Sequence, residues 1–278
     1  MQRNKRILFA LLLAVGLLLE TLAIYGGIYY VPIVDGGRGV GNMDPVLANK
    51  LKSVADILEE SNRRDGGVQK VSTQQQIRNI ENVVQDIFTL GRPVKHSPLS
   101  NWILWLAGKF HPVLGTIFDA DLISKWGGEV VCSQSSYVFV QAVNAAGFHA
   151  RQIGLNGHVM AEVWYNGDWH AYDPSFRVDF SDPSGQVVGI EVLSRSPELA
   201  RKILGNSAHP ELIPIILSRE DNTYVSLPVG AYFEWKSQAM LWVERAAELL
   251  KFILPAILFV IGAAGLRSRQ CDSRLQLA

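Results

Sequence analysis

The chain has 278 residues, with 26 Lys plus Arg against 26 Asp plus Glu, and no basic stripe with interleaved aromatics; this balance argues against nucleic acid as a partner. Its two cysteines, Cys132 and Cys271, exclude a disulfide framework and a CxxC-type zinc site, and with no HExxH, EF-hand loop, Walker A or GxGxxG motif no metal or cofactor is implied. Mean hydropathy is +0.13, high for a soluble protein, and the apolar excess sits at the two ends.

Behind a basic tip, residues 1–6, the apolar run over 7–34 carries a single charge, Glu20. It is longer than the ~20 residues needed to cross a bilayer, and Tyr25, Tyr29 and Tyr30 stand where an aromatic belt would lie. A cleaved signal peptide would use residues 7–19 as its h-region and Thr21-Leu22-Ala23 as its cleavage site, but the run continues past Ala23, which favours an uncleaved anchor. Glu20 reads either as an intramembrane polar contact or as a residue near the outer interface.

The Gly-rich stretch 34–42 reads as a linker. A helix is expected behind Asp44, with Pro45 at its first position and an apolar stripe to about Ser61. A second is expected from Ser72, where Ile77, Ile80, Val83, Val84, Ile87 and Leu90 recur at helical spacing up to Gly91. Trp102, Ile103, Trp105 and Leu106 suggest a short helix against the core, with a membrane-facing role as the alternative, and a further helical segment should run to about Lys125 before the break at Trp126-Gly127-Gly128.

Residues 132–146 are apolar around much of a helical circumference and stop at Gly147, which predicts a buried central helix with Cys132 in its first turn. Backbone N–H groups and the helix dipole favour a thiolate there, and the same N–H groups suit an oxyanion. Strands are expected over 148–155, 159–164 and 168–172, the last two joined by the two-residue turn Asn166-Gly167. Pairing Tyr165 with Asp168 sets Met160 opposite Asp173, His158 opposite Ser175 and His170 opposite Val163. His158 and Asp173 then share a face on a diagonal of ~7–8 Å, a gap that an imidazole and a carboxylate close. The register therefore selects His158 over His170 as the partner of Asp173. Cysteine, histidine and aspartate in these positions are the parts of a thiol nucleophile, its base and the orienter of that base.

Beyond Phe176, residues 187–193 and 224–227 suggest strands, 197–204 a helix, and 212–217 an apolar element broken by Pro214. Residues 239–266 read as an amphipathic lead-in followed by a second span over 249–266, with Lys251 snorkelling and Pro255 tolerated in lipid. The competing reading makes 240–266 one long core helix. Arg267, Arg269 and Arg274 mark the tail 267–278. By the positive-inside rule both termini face the cytoplasm and residues 35–238 lie outside, with Cys132 the one exported thiol. A lone thiol there is open to oxidation, so its presence calls for burial or catalysis.

Cys132 opening a central helix, Ala145-Ala146-Gly147-Phe148-His149-Ala150-Arg151, Gly157-His158, Glu162-Val163-Trp164, Asn166-Gly167-Asp168-Trp169 and Asp173-Pro174 together resemble the transglutaminase-like superfamily. The resemblance implies an α+β, papain-like core over residues 72–180 with a Cys132-His158-Asp173 triad. It implies acyl transfer or hydrolysis at an amide of an exported protein, peptide or envelope polymer through a thioester on Cys132. Trp126 resembles an upstream tryptophan that supports the oxyanion site in some members, and Gln134 matches a recurrent family glutamine. Val131 and Ser133 flank the cysteine where the family often has glycine, and the acidic loops of calcium-binding members are not evident. Other readings of the same residues are a catalytically silent domain serving as a membrane-bound interaction module, and arylamine-acetyltransferase-like chemistry.

Overall fold

Local signals in the chain set most element boundaries in the computed structural model, which describes residues 2–29, 32–33, 43–66, 71–155, 157–218 and 231–275. In chain order these are α1 (Gln2–Ile28), α2 (Pro45–Lys50), α3 (Val54–Arg64), α4 (Thr73–Ile87), β1 (Thr89–Leu90) and α5 (Pro98–Phe110). A 3-10 turn (Pro112–Gly115), α6 (Ala120–Trp126), β2 (Glu129–Val130), α7 (Cys132–Ala145), β3 (His149–Leu155), β4 (His158–Tyr165) and β5 (Asp168–Tyr172) follow. The chain closes with α8 (Ile190–Arg195), α9 (Pro197–Leu204), α10 (Leu212–Leu217) and α11 (Ala231–Leu275). The expected linker over 34–42 and strand over 224–227 lie outside the described residues.

The architecture is α+β, in two units: Met1–Ile33, Lys95–Thr116 and Trp242–Ala278 form one, and Val34–Val94 with Ile117–Leu241 the other. The segment around Trp102 and Trp105, expected against the core of the exported domain, instead belongs with the terminal helices.

In the larger unit, β3, β4 and β5 make an antiparallel sheet in that order. Asn166 and Gly167 take φ of 53° and 86°, the left-handed conformations of a tight hairpin turn, and Tyr165 pairs with Asp168. Every later pair of β4 and β5 follows from that one, Val163 facing His170 and Ala161 facing Tyr172. Helix α7 packs on β3 and β4, with Val138, Phe139 and Val143 fully buried. Gln152 of β3 stitches the two layers, its amide donating to the Ser133 carbonyl at 2.9 Å and to Ser136 Oγ at 2.8 Å. Helix α4 covers α7 with Ile77, Ile80, Val83 and Val84, all buried.

Three expectations shift. The helix behind Asp44 is two helices, because Ser53 caps a new one through the Asp56 N–H at 3.2 Å. Helix α4 ends at Ile87 rather than Leu90, and Thr89–Leu90 pairs in parallel with Glu129–Val130. Residues 187–193 give only a bridge at Val187 before turning helical at Ile190, whose N–H is held by the buried carboxylate of Glu162 at 2.9 Å. Arg151 neutralises that carboxylate at 2.7 Å.

The smaller unit holds two helices long and apolar enough to cross a membrane, Asn4–Ile28 and Gln238–Arg267. The 240–266 stretch is one continuous helix, yet its apolar window is largely uncovered, unlike a core helix. Gly16 meets the backbone of Pro255 and Phe259, and Gly262 that of Phe9 and Leu13, so glycines let α1 and α11 touch main chain to main chain. Helix α5 is fastened beside them: Lys251 Nζ donates to the Ser100 carbonyl at 2.9 Å and pairs with Glu248 at 2.6 Å, and Asn101 donates to Glu248 at 2.8 Å. Lys251, expected to snorkel, is instead 2% exposed, because these acceptors leave it no reason to reach water. Glu20 is half-buried, with one carboxylate oxygen lacking a hydrogen-bond partner.

Candidate active site

Cys132 is the first residue of α7, half-buried and outside any disulfide, and Val131 before it supplies no side-chain cap. The Gln134 N–H donates to the Val131 carbonyl at 2.9 Å, which leaves the Cys132 and Ser133 N–H groups for another acceptor. His158 opens β4 and Asp173 follows β5, and their side chains, 4% and 0% exposed, meet with Nε2 2.7 Å from Oδ2. The Cys132 thiol is near enough to the same ring to help raise its pKa. With Nε2 given to Asp173, Nδ1 is the nitrogen left to face sulfur. The three residues singled out from the sequence thus sit in one connected set. His170 lies on the opposite face stacked against Tyr165, and His149 is exposed beside Trp169.

Asp173 is held from every side. Its Oδ1 accepts the Ser175 and Phe176 N–H groups at 2.9 and 3.1 Å, the side-chain-to-backbone turn expected of an Asp-Pro start. Its own N–H donates to Glu81 Oε1 at 2.9 Å, and its carbonyl accepts from Gln85 Nε2 at 3.2 Å. Glu81 and Gln85 are one turn apart on α4, so that helix positions the carboxylate through its main chain. The Ser135 and Ser175 hydroxyls, 2.7 Å apart, tie the first turns of α7 to the same loop.

Burial alone would depress the His158 pKa. The Asp173 charge and hydrogen bond, with the Cys132 thiol, outweigh it and push the ring up to about 10. Burial first, and the Asp173 charge second, raise Glu81 to about 8, so near neutrality it is mostly a carboxylic acid. That lets it accept from the Asp173 N–H without placing a second full charge beside the Asp173 carboxylate.

The Phe176 ring lies flat on His158, 4.5 Å between centroids and 10° between planes, and His209 stacks on the outer face of Phe176 at 4.2 Å. His209 is in turn paired with Glu211 at 2.8 Å. Of the two support candidates, Gln134 is a structural clamp. Its Oε1 accepts the Val94 N–H at 3.0 Å and its Nε2 donates to the Val94 and Ile117 carbonyls at 3.1 and 3.0 Å, which uses its amide fully. Trp126 ends α6 with the Lys125 ammonium 5.3 Å over its ring.

Glu81 and Gln85 were missed in the sequence although a signal exists: they interrupt the apolar stripe of α4 on its buried face. Phe176 and His209 carry no such signal. Among the described residues no group of three His, Cys, Asp or Glu is arranged to hold a metal ion.

No family model matches the chain, and no curated protein does. A solved structure, the crystal structure of a TGase, is similar over 44% of this chain and 30% of its own length, at 19% identity and a TM-score of 0.30. The match therefore spans less than a third of that protein.

Proposed function

We propose that the chain is a membrane-anchored, transglutaminase-like thiol enzyme that opens an amide bond of an exported protein, peptide or envelope polymer. The observation that carries this reading is the His158–Asp173 hydrogen bond at 2.7 Å, with the Cys132 sulfur acting on the same ring from an uncapped helix start.

In the proposed reaction Cys132 passes its proton to His158 Nδ1, and the sulfur attacks the carbonyl carbon. The Cys132 and Ser133 N–H groups at the start of α7 receive the oxyanion. As the C–N bond breaks, His158 returns the proton to the departing amine, leaving a thioester on Cys132. An incoming amine or water then gives a proton to His158 and attacks the thioester. The C–S bond breaks and the thiol is re-formed. Asp173 keeps its negative charge throughout, holding the ring and favouring the imidazolium. The basic flanks of both apolar helices support a topology with the domain outside and both termini in the cytoplasm.

Two measurements test the reading. Iodoacetamide should alkylate Cys132 quickly near neutral pH and slowly in His158→Ala; equal, slow rates in both would remove the activated nucleophile. Incubation with envelope extract should leave an acyl adduct on Cys132, detected by its mass and released by hydroxylamine.

A further inference from the structure

Beside α5, the smaller unit encloses a second cleft, of about 180 Å³, lined by Ile33, Lys95, His96, Trp105, Lys109 and the backbone of Gly108 and Gly115. Its floor is bare main chain: a Cβ on Gly108 would stand 2.7 Å from the Gly115 Cα, so no side chain fits there. Its walls carry two cations and no carboxylate. The Lys109 ammonium lies 5.0 Å over the Trp105 ring, and neither Lys95 nor Lys109 forms an ion pair among the described residues. Lys95 is half-buried and locked in place, its N–H and carbonyl both paired with Ile33. His96, at the back, lies 3.3 Å from Glu244, which does not line the cleft.

The place of this cleft in the fold indicates what fills it. Helix α5 is bonded to Glu248 and Lys251 where the second apolar helix begins, and the Leu99 carbonyl lies against Gly26 near the end of the first. The cleft therefore sits at the ends of the two apolar helices away from the chain termini. On the same helix Leu106 and Phe110 are 47% and 84% exposed, an apolar rim beside the cationic walls. Two unpaired ammonium groups next to uncovered aliphatic and aromatic side chains match a phosphodiester that carries acyl chains, rather than a free anion.

We propose that the Lys95–Lys109 cleft binds the phosphodiester headgroup of an anionic phospholipid, with Leu106 and Phe110 against its acyl chains. The site fastens the segment Lys95–Thr116 to the bilayer surface. This rests on the membrane-anchored reading but not on catalysis by Cys132.

The test uses the full chain purified in detergent, with lipid binding read by native mass spectrometry. Phosphatidylglycerol should bind on the order of tenfold more tightly than phosphatidylcholine. Lys95→Gln/Lys109→Gln should abolish that preference without weakening phosphatidylcholine binding, and Lys95→Arg/Lys109→Arg should keep it. In the unmodified chain, which needs no variant to fold, the preference should shrink steeply as salt rises. Equal binding of the two lipids, or a preference that survives the double Gln variant, overturns the proposal. Displacement of phosphatidylglycerol by millimolar inorganic phosphate would overturn it in favour of a free-anion site. Alkaline carbonate extraction tests the anchored reading separately: release of the chain from membranes would defeat that reading, whatever lipid the purified chain binds.

Discussion

Replacing Asp173 by Asn removes one charge from the site and little else. Asn can still accept the Ser175 and Phe176 N–H groups and still reach His158 Nε2, so the fold should survive. Raising the ring from 6.5 to about 10 corresponds to about 5 kcal/mol of preference for the imidazolium, at about 1.4 kcal/mol per tenfold in proton affinity. Asp173 is the main source of that rise, and without it burial is opposed by Cys132 only. The thiol then loses its proton acceptor, and a positioned general base is typically worth about 10²–10⁴-fold in rate. The iodoacetamide rate near neutral pH should therefore fall by about 100-fold or more. Coincident wild-type and Asp173→Asn rates would refute the view that Asp173 sets the protonation of the pair. The same raised pKa has a stability consequence. Its contribution is complete below pH 6.5 and lost as pH rises through about 10, so the stability advantage of wild type over Asp173→Asn should fade across that window.

Glu81→Gln keeps an acceptor for the Asp173 N–H but cannot ionise. Because the folded-state pKa of Glu81 is raised, its stabilising contribution is complete below 4.5 and lost as pH climbs through about 8. The variant should therefore gain in Tm over wild type from pH 5 to pH 9, and a difference that does not change with pH would contradict the buried-acid assignment. Phe176→Ala removes a stacked pair of a kind worth about 0.5–1.5 kcal/mol; alkylation of Cys132 should slow by roughly two- to tenfold, and an unchanged rate would take Phe176 out of ring positioning. Gln134→Ala strands the Val94 N–H and the Ile117 carbonyl, at a cost of about 2–4 kcal/mol in thermal or denaturant unfolding, while the Val94 carbonyl keeps the Ile117 N–H. Its alkylation profile should keep the wild-type pH midpoint, which separates a clamp from an acid–base role.

The hairpin shows how far one short signal reaches. Asn166-Gly167 demands left-handed backbone, that demand sets Tyr165 against Asp168, and strict alternation along β4 and β5 then decides that His158 rather than His170 shares a face with Asp173. Capping residues did similar work: Asp44, Ser72 and Gly147 mark ends of α2, α4 and α7 to within a residue or two. Helix α8 (Ile190–Arg195) was not legible within the strand expected over 187–193, because its start depends on Glu162, a carboxylate contributed by a strand 28 residues earlier in the chain.

What the sequence by itself determined is what local chemistry dictates: two apolar helices, a cysteine at a helix start, and the register that brings a histidine and an aspartate to one face. What only the tertiary structure decided is everything that needs partners distant in the chain. Glu81 and Gln85 reach Asp173 across about 90 residues, His209 closes the stack over His158, and Lys95–Thr116 leaves the larger unit for the terminal helices. The physical reason is common to all of them. Turn and cap preferences are properties of adjacent residues, whereas the burial of a carboxylate or the pairing of an ammonium is set by what packs against it, and no window of sequence contains that neighbour.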